Sequence, residues 1–509
     1  MTEHLELPFS FQHLSLPGGV RAAMERNPAK VALQHRDRRC TYAELMNRVD
    51  RVCGGLLQTC GLEPGVHVAI VAANSIEYLE VVLGASQAGI GTATVNPRLS
   101  PREIVAICDD AEAQVLFADS KSAQALAAAK FATVRELIVL DNDYPEWCER
   151  APVLAASQRP IVNEWDTFTI PYTSGTTGKP KGVLVPHRSR VISLYAMAVE
   201  YGCFSPDDRF LAIAPMCHGA GMIFALAPLF FGAYAEIMDE FAPDAVVRKL
   251  AAGDFTGFFG VPTHFHAIFS LEQSVLDAHP TPALKTIISN AAPLPQTMKE
   301  RIIRHFGAIL HETYGSTEAS IVSNLRPADQ LRKTACVGQP FPGTRIEIRR
   351  PDGSLCEPEE VGELFVTSSC LFNGYWKKPE ATSEAFVDGW VTVGDLARKD
   401  AEGHLYIVDR LKDMVISGGI NIYPREIEET LLQHPQVVDA AIIGVPDEKW
   451  GERLKAFIVA APDAPDSAEL IRFCGEHIAG IKVPKEYVFI DQLPRNASGK
   501  VLKTELRKH

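Results

Sequence analysis

The segment Thr173-Ser174-Gly175-Thr176-Thr177-Gly178-Lys179-Pro180-Lys181-Gly182 concentrates residue types that hold phosphate. Glycines let backbone N–H groups come close to an anion and line up as a nest. Hydroxyls and the lysines 179 and 181 add donors and positive charge. The order G-x-x-x-x-G-K-[ST] is absent, so this is not a Walker loop. By composition alone a solvated polar loop is the competing reading; the full string is far more specific than its composition.

Such a loop needs a rigid base, and it follows the apolar, strand-like run Phe168-Thr169-Ile170-Pro171-Tyr172. Upstream, 42–58 has helical spacing, 67–74 reads as a buried strand, 75–89 as a helix and 91–97 as a strand. A second cycle has strand-like runs at 113–119 and 136–141. Strands alternating with helices predict parallel α/β layering. The stretch 210–235 is long and apolar enough to be weighed as a membrane span. It contains Pro215, Pro228 and several glycines, so a strand, loop and helix around an apolar pocket is the better expectation. Residues 338–367 are rich in strand signals, with Asp352-Gly353 as a hairpin turn. Pro424 suits the first turn of a helix with Ile427 and Leu431 on one face. The chain turns charged and then glycine-rich over 409–419. The expected organisation is α/β: a large N-terminal body of layered α/β subdomains over 1–409, a hinge at 410–412, and a small, mobile α+β C-terminal domain over 413–509.

Thr173 to Gly182 resembles the phosphate loop of the adenylate-forming superfamily, which includes acyl-CoA synthetases, peptide-synthetase adenylation domains and beetle luciferases. The resemblance extends over nearly the whole chain. Tyr314-Gly315-Ser316-Thr317-Glu318 is similar to the family's Y-G-x-T-E. It implies that Tyr314 stacks on adenine, Thr317 contacts phosphate, and Glu318, with Thr177, holds magnesium. An aromatic face suits a purine, and a hard cation favours oxygen ligands. Asn290-Ala291-Ala292-Pro293 resembles the other wall of the adenine slot. Trp390-Val391-Thr392-Val393-Gly394-Asp395-Leu396 resembles W-x-x-T-G-D-L, which makes Asp395 a ribose contact. Val393 departs from the usual threonine, and a local repacking is expected. Arg410 resembles a second ribose contact and Lys412 the family's hinge residue. Pro494-Arg495-Asn496-Ala497-Ser498-Gly499-Lys500 resembles the motif that carries the catalytic lysine. Lys500 would offset charge as one anion attacks another.

Ala214-Pro215-Met216-Cys217-His218-Gly219 resembles the segment that sets a histidine between acyl site and adenylate; a buried structural histidine is the alternative for His218. Cys217 has apolar neighbours, which raise a thiol pKa, and is read as packing. By the same resemblance the acyl pocket draws on His218, Gly219, Ala220, Phe259, Asn290, Thr313 and Gly315, a set with no basic residue. Ser417, Gly418 and Gly419 would line a pantetheine tunnel, and Trp450-Gly451-Glu452 resembles a triplet found near coenzyme A; a core tryptophan is the other reading of Trp450.

The implied reaction joins a carboxylate to ATP as acyl-AMP with loss of pyrophosphate, then passes the acyl group to coenzyme A. The expected acid is aryl, alicyclic or medium-to-long chain. Loading of a carrier protein, a luciferase-like oxygenase and a catalytically dead nucleotide-binding protein are the alternatives. A formal net charge of -13 gives no general affinity for nucleic acid or an anionic membrane. The 11 cysteines are scattered without a C-x-x-C pair, which suits reduced thiols in the cytoplasm. No integral membrane span is expected, and the chain is read as a monomer or homodimer.

Overall fold

Strands buried on both faces need unbroken apolar runs, and these runs form the centres of two parallel sheets. The computed structural model describes residues 14–174, 180–462, 465–495 and 501–508. Gly175, Thr176, Thr177, Gly178, Lys179 and Lys500 lie outside the described residues, as does the side chain of Ser174.

The described chain divides into two compact units: Met1–Ile346 with Val366–Val391, and Glu347–Phe365 with Thr392–His509. In the first unit one sheet has as its parallel part Glu136–Val139, Ala113–Ala118, His67–Val71, Gly91–Val95 and Thr167–Ser174 in space, with Pro180–Gly182 and Val185–Pro186 antiparallel to the last. Every residue of His67–Val71 and of Gly91–Val95 is buried, including Thr92 and Thr94, so both strands are covered on both faces. The crossover helix Ile76–Gln87 starts where the Ser75 hydroxyl accepts from the Tyr78 N–H. Tyr42–Gly54 begins with a capping box between Thr41 and Glu44 and runs on as a π-helical turn, Gly55–Thr59.

The second sheet of this unit has at its centre Leu310–Ser316, Thr286–Ser289, Gly257–Gly260, Arg209–Ala212 and Tyr234–Ile237 in space, again parallel. The 210–235 run is therefore strand, loop, helix Gly219–Phe231 and the start of the next strand. Among the described residues no helix is long and apolar enough to cross a membrane. Gly221 is small for a reason: a Cβ there would stand 2.0 Å from the Pro215 carbonyl oxygen. Lys299, on the helix Gln296–Phe306, forms a buried ion pair with Glu312 on the strand Leu310–Ser316.

In the second unit Val437–Asp447 and Gly451–Ala460 form a long antiparallel pair. Glu486–Phe489 flanks the second of these in parallel, and the hairpin Val415–Ser417 with Ile420–Ile422 extends the sheet on that strand. The helix Pro424–Leu431 lays Ile427 and Leu431 into a core shared with Leu470 and Cys474 of Ser467–His477. The turn at Asp352-Gly353 forms, with Gly353 at φ 84 and its N–H donating to the Arg350 carbonyl at 2.9 Å. The boundary read from the sequence at 409–412 lies inside this unit, at the short 3-10 turn Leu411–Asp413.

Replacing Lys299 with methionine leaves the Glu312 carboxylate buried without its counter-ion. Lys299→Met should lower stability by about 3 kcal/mol, read as a drop in the urea midpoint of unfolding.

Candidate functional site

Parallel sheets place ligands beyond the carboxyl ends of their strands, and that is where the first unit gathers its polar side chains. Thr286–Ser289 ends at Asn290, whose Nδ2 donates to Thr313 Oγ1 at 2.9 Å on the neighbouring strand. Four residues on, the Leu294 N–H donates to Glu312 Oε1 at 3.1 Å. The intervening Ala291, Ala292 and Pro293 are exposed, with Ala291 in the left-handed region at φ 79. They form a short shelf of small residues pinned at both ends to the strand that carries Tyr314, itself half-buried. A bulge falls between Tyr314 and Gly315. Gly315 permits it, because a Cβ would stand 2.1 Å from the Ser320 carbonyl oxygen.

The turn after this strand presents Thr317 half-buried and Glu318 buried. Tyr375 donates its hydroxyl to Glu318 Oε1 at 2.8 Å, and the Phe372 N–H donates to the Glu318 carbonyl at 2.9 Å. Glu318 Oε2 takes no hydrogen bond among the described residues, which leaves a carboxylate oxygen for a cation. Lys181, paired through its strand with Thr173, sets its Nζ 5.1 Å from the Tyr375 ring centroid. Tyr375 therefore ties the end of the phosphate-loop segment to Glu318. Tyr375 was missed in the sequence, where nothing in Asn373-Gly374-Tyr375-Trp376 marks it.

The carboxyl ends of the other sheet supply two asparagines. Asn74 is buried; its Oδ1 accepts from the Met216 N–H at 2.8 Å, and its Nδ2 donates to the carbonyls of Ala214 at 3.0 Å and Met238 at 3.1 Å. The loop that ends at His218 is thus fastened across the two sheets. Asn96 Oδ1 accepts from the Arg98 N–H at 2.9 Å, so its Nδ2 faces His218 Nε2, 3.3 Å away. As acceptor, Nε2 leaves the ring proton on Nδ1. Cys217 beside it is buried, and burial pushes its thiol up to about 12, in keeping with a packing role.

Gly219 and Ala220, half-buried, open the helix Gly219–Phe231. Phe259 is closed in the core, stacked on Phe224 of that helix with centroids 4.4 Å apart. The expected pocket set has no basic residue, but the fold adds one: Arg190 lies with Nη2 3.3 Å from where a Gly219 Cβ would be.

In the second unit Asp395 and Arg410 sit opposite each other on paired strands, with Arg410 Nε 2.8 Å from Asp395 Oδ1. Thr392 donates to Glu363 Oε1 at 2.7 Å and accepts from the Gly394 N–H at 3.1 Å, holding the turn that contains Val393. Lys412 lies in the 3-10 turn, its ammonium pushed below the usual range by burial. The structure brings Ser417, Gly418, Gly419 and Trp450 together. Gly418 and Gly419, at φ 60 and 78, turn the hairpin, and the Gly418 N–H donates to the Trp450 carbonyl at 2.8 Å. A Cβ on Gly418 would meet the indole at 2.8 Å, and that indole is 44% exposed. Arg495 and Val501, on either side of 496–500, form an antiparallel bridge. Lys503 is anchored to Glu428 at 2.8 Å.

Parallel sheets with these residues at their carboxyl ends, followed by a small α+β unit, define an adenylate-forming architecture. The family model for AMP-binding enzymes matches residues 20–376 and that for the AMP-binding enzyme C-terminal domain matches 426–500, so the chain belongs to this family. It is 36% identical over 497 residues to a feruloyl-CoA synthase from an Amycolatopsis species, covering 95% of this chain and 96% of the relative. It is 32% identical to the 2-succinylbenzoate–CoA ligase of Bacillus mycoides, with 97% and 98% covered. Among solved structures, the o-succinylbenzoate CoA synthetase of Bacillus subtilis, in complex with its acyl-adenylate intermediate, superposes with a TM-score of 0.86 at 29% identity, covering 96% of this chain and 98% of that one.

The asparagine that fastens the His218 loop gives the geometry a test. Asn74→Ala leaves the buried Met216 N–H and two carbonyls unpaired and should cost about 2 kcal/mol or more. Hydrogen exchange at Met216 should quicken, while exchange within His67–Val71 stays slow.

Proposed function

We propose that this chain is an AMP-forming acid–CoA ligase for aryl carboxylic acids. A carboxylate oxygen attacks the α-phosphorus of ATP, the bond to the bridging oxygen breaks, and pyrophosphate leaves. The thiol of coenzyme A then attacks the acyl carbon, and AMP departs. The carrying observation is that one chain holds both family segments and aligns nearly end to end with acid–CoA ligases.

In this reading Thr173, Ser174, Gly175, Thr176, Thr177, Gly178, Lys179 and Lys181 receive the phosphates. Tyr314 stacks on adenine against the shelf of Ala291, Ala292 and Pro293, and Thr317 donates to phosphate. Asp395 and Arg410 take the ribose. Glu318 and Thr177 hold magnesium, for which the Glu318 Oε2 left without a hydrogen bond is a fitting ligand; the cation supplies charge neutralisation at the phosphates. Lys500 offsets charge on the attacked phosphate. His218, with its ring held by Asn96, lines the path of the carboxylate, and Gly219, Ala220, Phe259, Asn290, Thr313 and Gly315 shape the acyl pocket. Ser417, Gly418, Gly419 and Trp450 guide pantetheine. Lys412 is the hinge between a body of 1–409 and a domain of 413–509, so that one chain serves both half-reactions. A cytoplasmic setting, where thiols stay reduced, suits its free cysteines.

An acid panel read by pyrophosphate release and by thioester formation tests the assignment. Aryl acids should support both; no pyrophosphate with any acid, or a preference for acetate, would overturn it. Lys500→Ala should slow adenylation by about 10²-fold or more while sparing thioester formation from supplied acyl-AMP. Equal loss in both halves would show that Lys500 does not act on the attacked phosphate alone. Gly418→Ala, which sets a methyl against Trp450, should raise KM for coenzyme A by about 10-fold and leave pyrophosphate release intact.

A further inference from the structure

A guanidinium taken out of water needs a counter-ion or a full set of acceptors, and half-buried arginines elsewhere among the described residues have them. Arg48 meets Glu80, and Arg21 and Arg159 meet Asp50. Arg190 is the exception. It lies near the start of the helix His187–Tyr201, is only 6% exposed, and forms no hydrogen bond or ion pair among the described residues. Cys370 is the one titratable group acting on it, and burial raises that thiol, so it stays neutral. Burial lowers the Arg190 guanidinium to about 10, which still leaves it charged at neutral pH.

The charge has a direction. Arg190 Nη2 lies 3.3 Å from the point a Gly219 Cβ would occupy. Gly219 is the first residue of a 13-residue helix whose N-terminus has no side-chain cap. The N–H groups of that first turn have no side-chain acceptor, and the positive end of the helix dipole lies at this end of the helix. Glycine at 219 keeps a side chain off the guanidinium, and Gly219 and Ala220 remain partly exposed. A buried cation thus lies beside an uncapped helix N-terminus next to His218, with no anion among the described residues to meet it.

We propose that Arg190 and the first turn of Gly219–Phe231 bind a second carboxylate on the acyl substrate, so that the preferred acid is an aryl dicarboxylic acid. The inference rests on the acid–CoA ligase reading and narrows its substrate class. The reacting carboxylate goes forward to the adenylate past His218, and the second is received by the guanidinium behind Gly219. Arg190 is a specificity residue and takes no part in bond making.

The test uses paired aryl acids, each monocarboxylic acid matched by the same skeleton with a second carboxylate on a side chain of varied length. Pyrophosphate release should favour at least one dicarboxylic member over its twin. Arg190→Leu should lower the dicarboxylic-to-monocarboxylic ratio of kcat/KM by about 10²-fold, mostly through KM, as when one partner of a buried charge pair is lost. Arg190→Lys should restore part of that ratio. Gly219→Asp, which offers the guanidinium an internal carboxylate, should lower the ratio in a chain that keeps Arg190. An unchanged ratio in both Arg190→Leu and Gly219→Asp, or a wild type that prefers every monocarboxylic twin, overturns the inference and leaves the ligase reading standing. If no acid releases pyrophosphate, the ligase reading fails. Calorimetric binding of the dicarboxylic acids to wild type and Arg190→Leu then decides the inference alone, with equal affinities overturning it.

Discussion

An ionised carboxylate approaching a triphosphate is repelled at every step, and two unit charges of like sign at contact distance oppose each other by several kcal/mol once water is thinned out. The chain's net charge of -13 makes its overall field no help. Positive potential has to be local, built from groups whose own counter-ions are absent or turned aside. Parallel sheets serve this end because crossover helices follow their strands, and helix N-termini gather beside the strand carboxyl ends. Lys181 lies over the Tyr375 ring. The first turn of Gly219–Phe231 is uncapped.

Holding such groups in register falls to a few enclosed polar contacts between loops and strand ends separated in sequence. Asn74 joins Met216 across 142 positions, Asn290 joins Thr313, and Tyr375 joins Glu318 across 57. The net worth of each bond is about 1 kcal/mol, yet leaving one unmade in a dry interior costs about 1–3 kcal/mol. These contacts therefore select one arrangement of the loops more than they add to stability. A general apolar core could hold the sheets, but it would not say where the His218 loop or the Ala291 shelf should sit.

Much of this was legible in the residues alone, for reasons that can be named. His67–Val71 is covered on both faces, and the run Val68–Val71 is accordingly apolar without alternation. Ile427 and Leu431 share a helical face because a helix repeats about every 3.6 residues. Asp352-Gly353 can turn because glycine tolerates positive φ. Motif order marked the glycine hairpin and Trp450, which the fold brings together. What stayed hidden depends on distance in the chain. Nothing around Tyr375 signals Glu318, and Arg190, within His187-Arg188-Ser189-Arg190, looks like any solvated basic residue until burial removes its water. The second unit draws on two separate stretches of chain, which no pattern within either stretch announces.

The burial of the cysteines carries a chemical consequence of its own. An acyl phosphate anhydride reacts with whatever thiolate lies nearby, and the protein that makes it is exposed to its own product. Cys40, Cys108 and Cys217 are each pushed up to about 12 by burial, and burial raises Cys370 as well. At neutral pH these sulfurs keep their protons and their distance from solvent. Their burial leaves the incoming cofactor's sulfur as the one free to react.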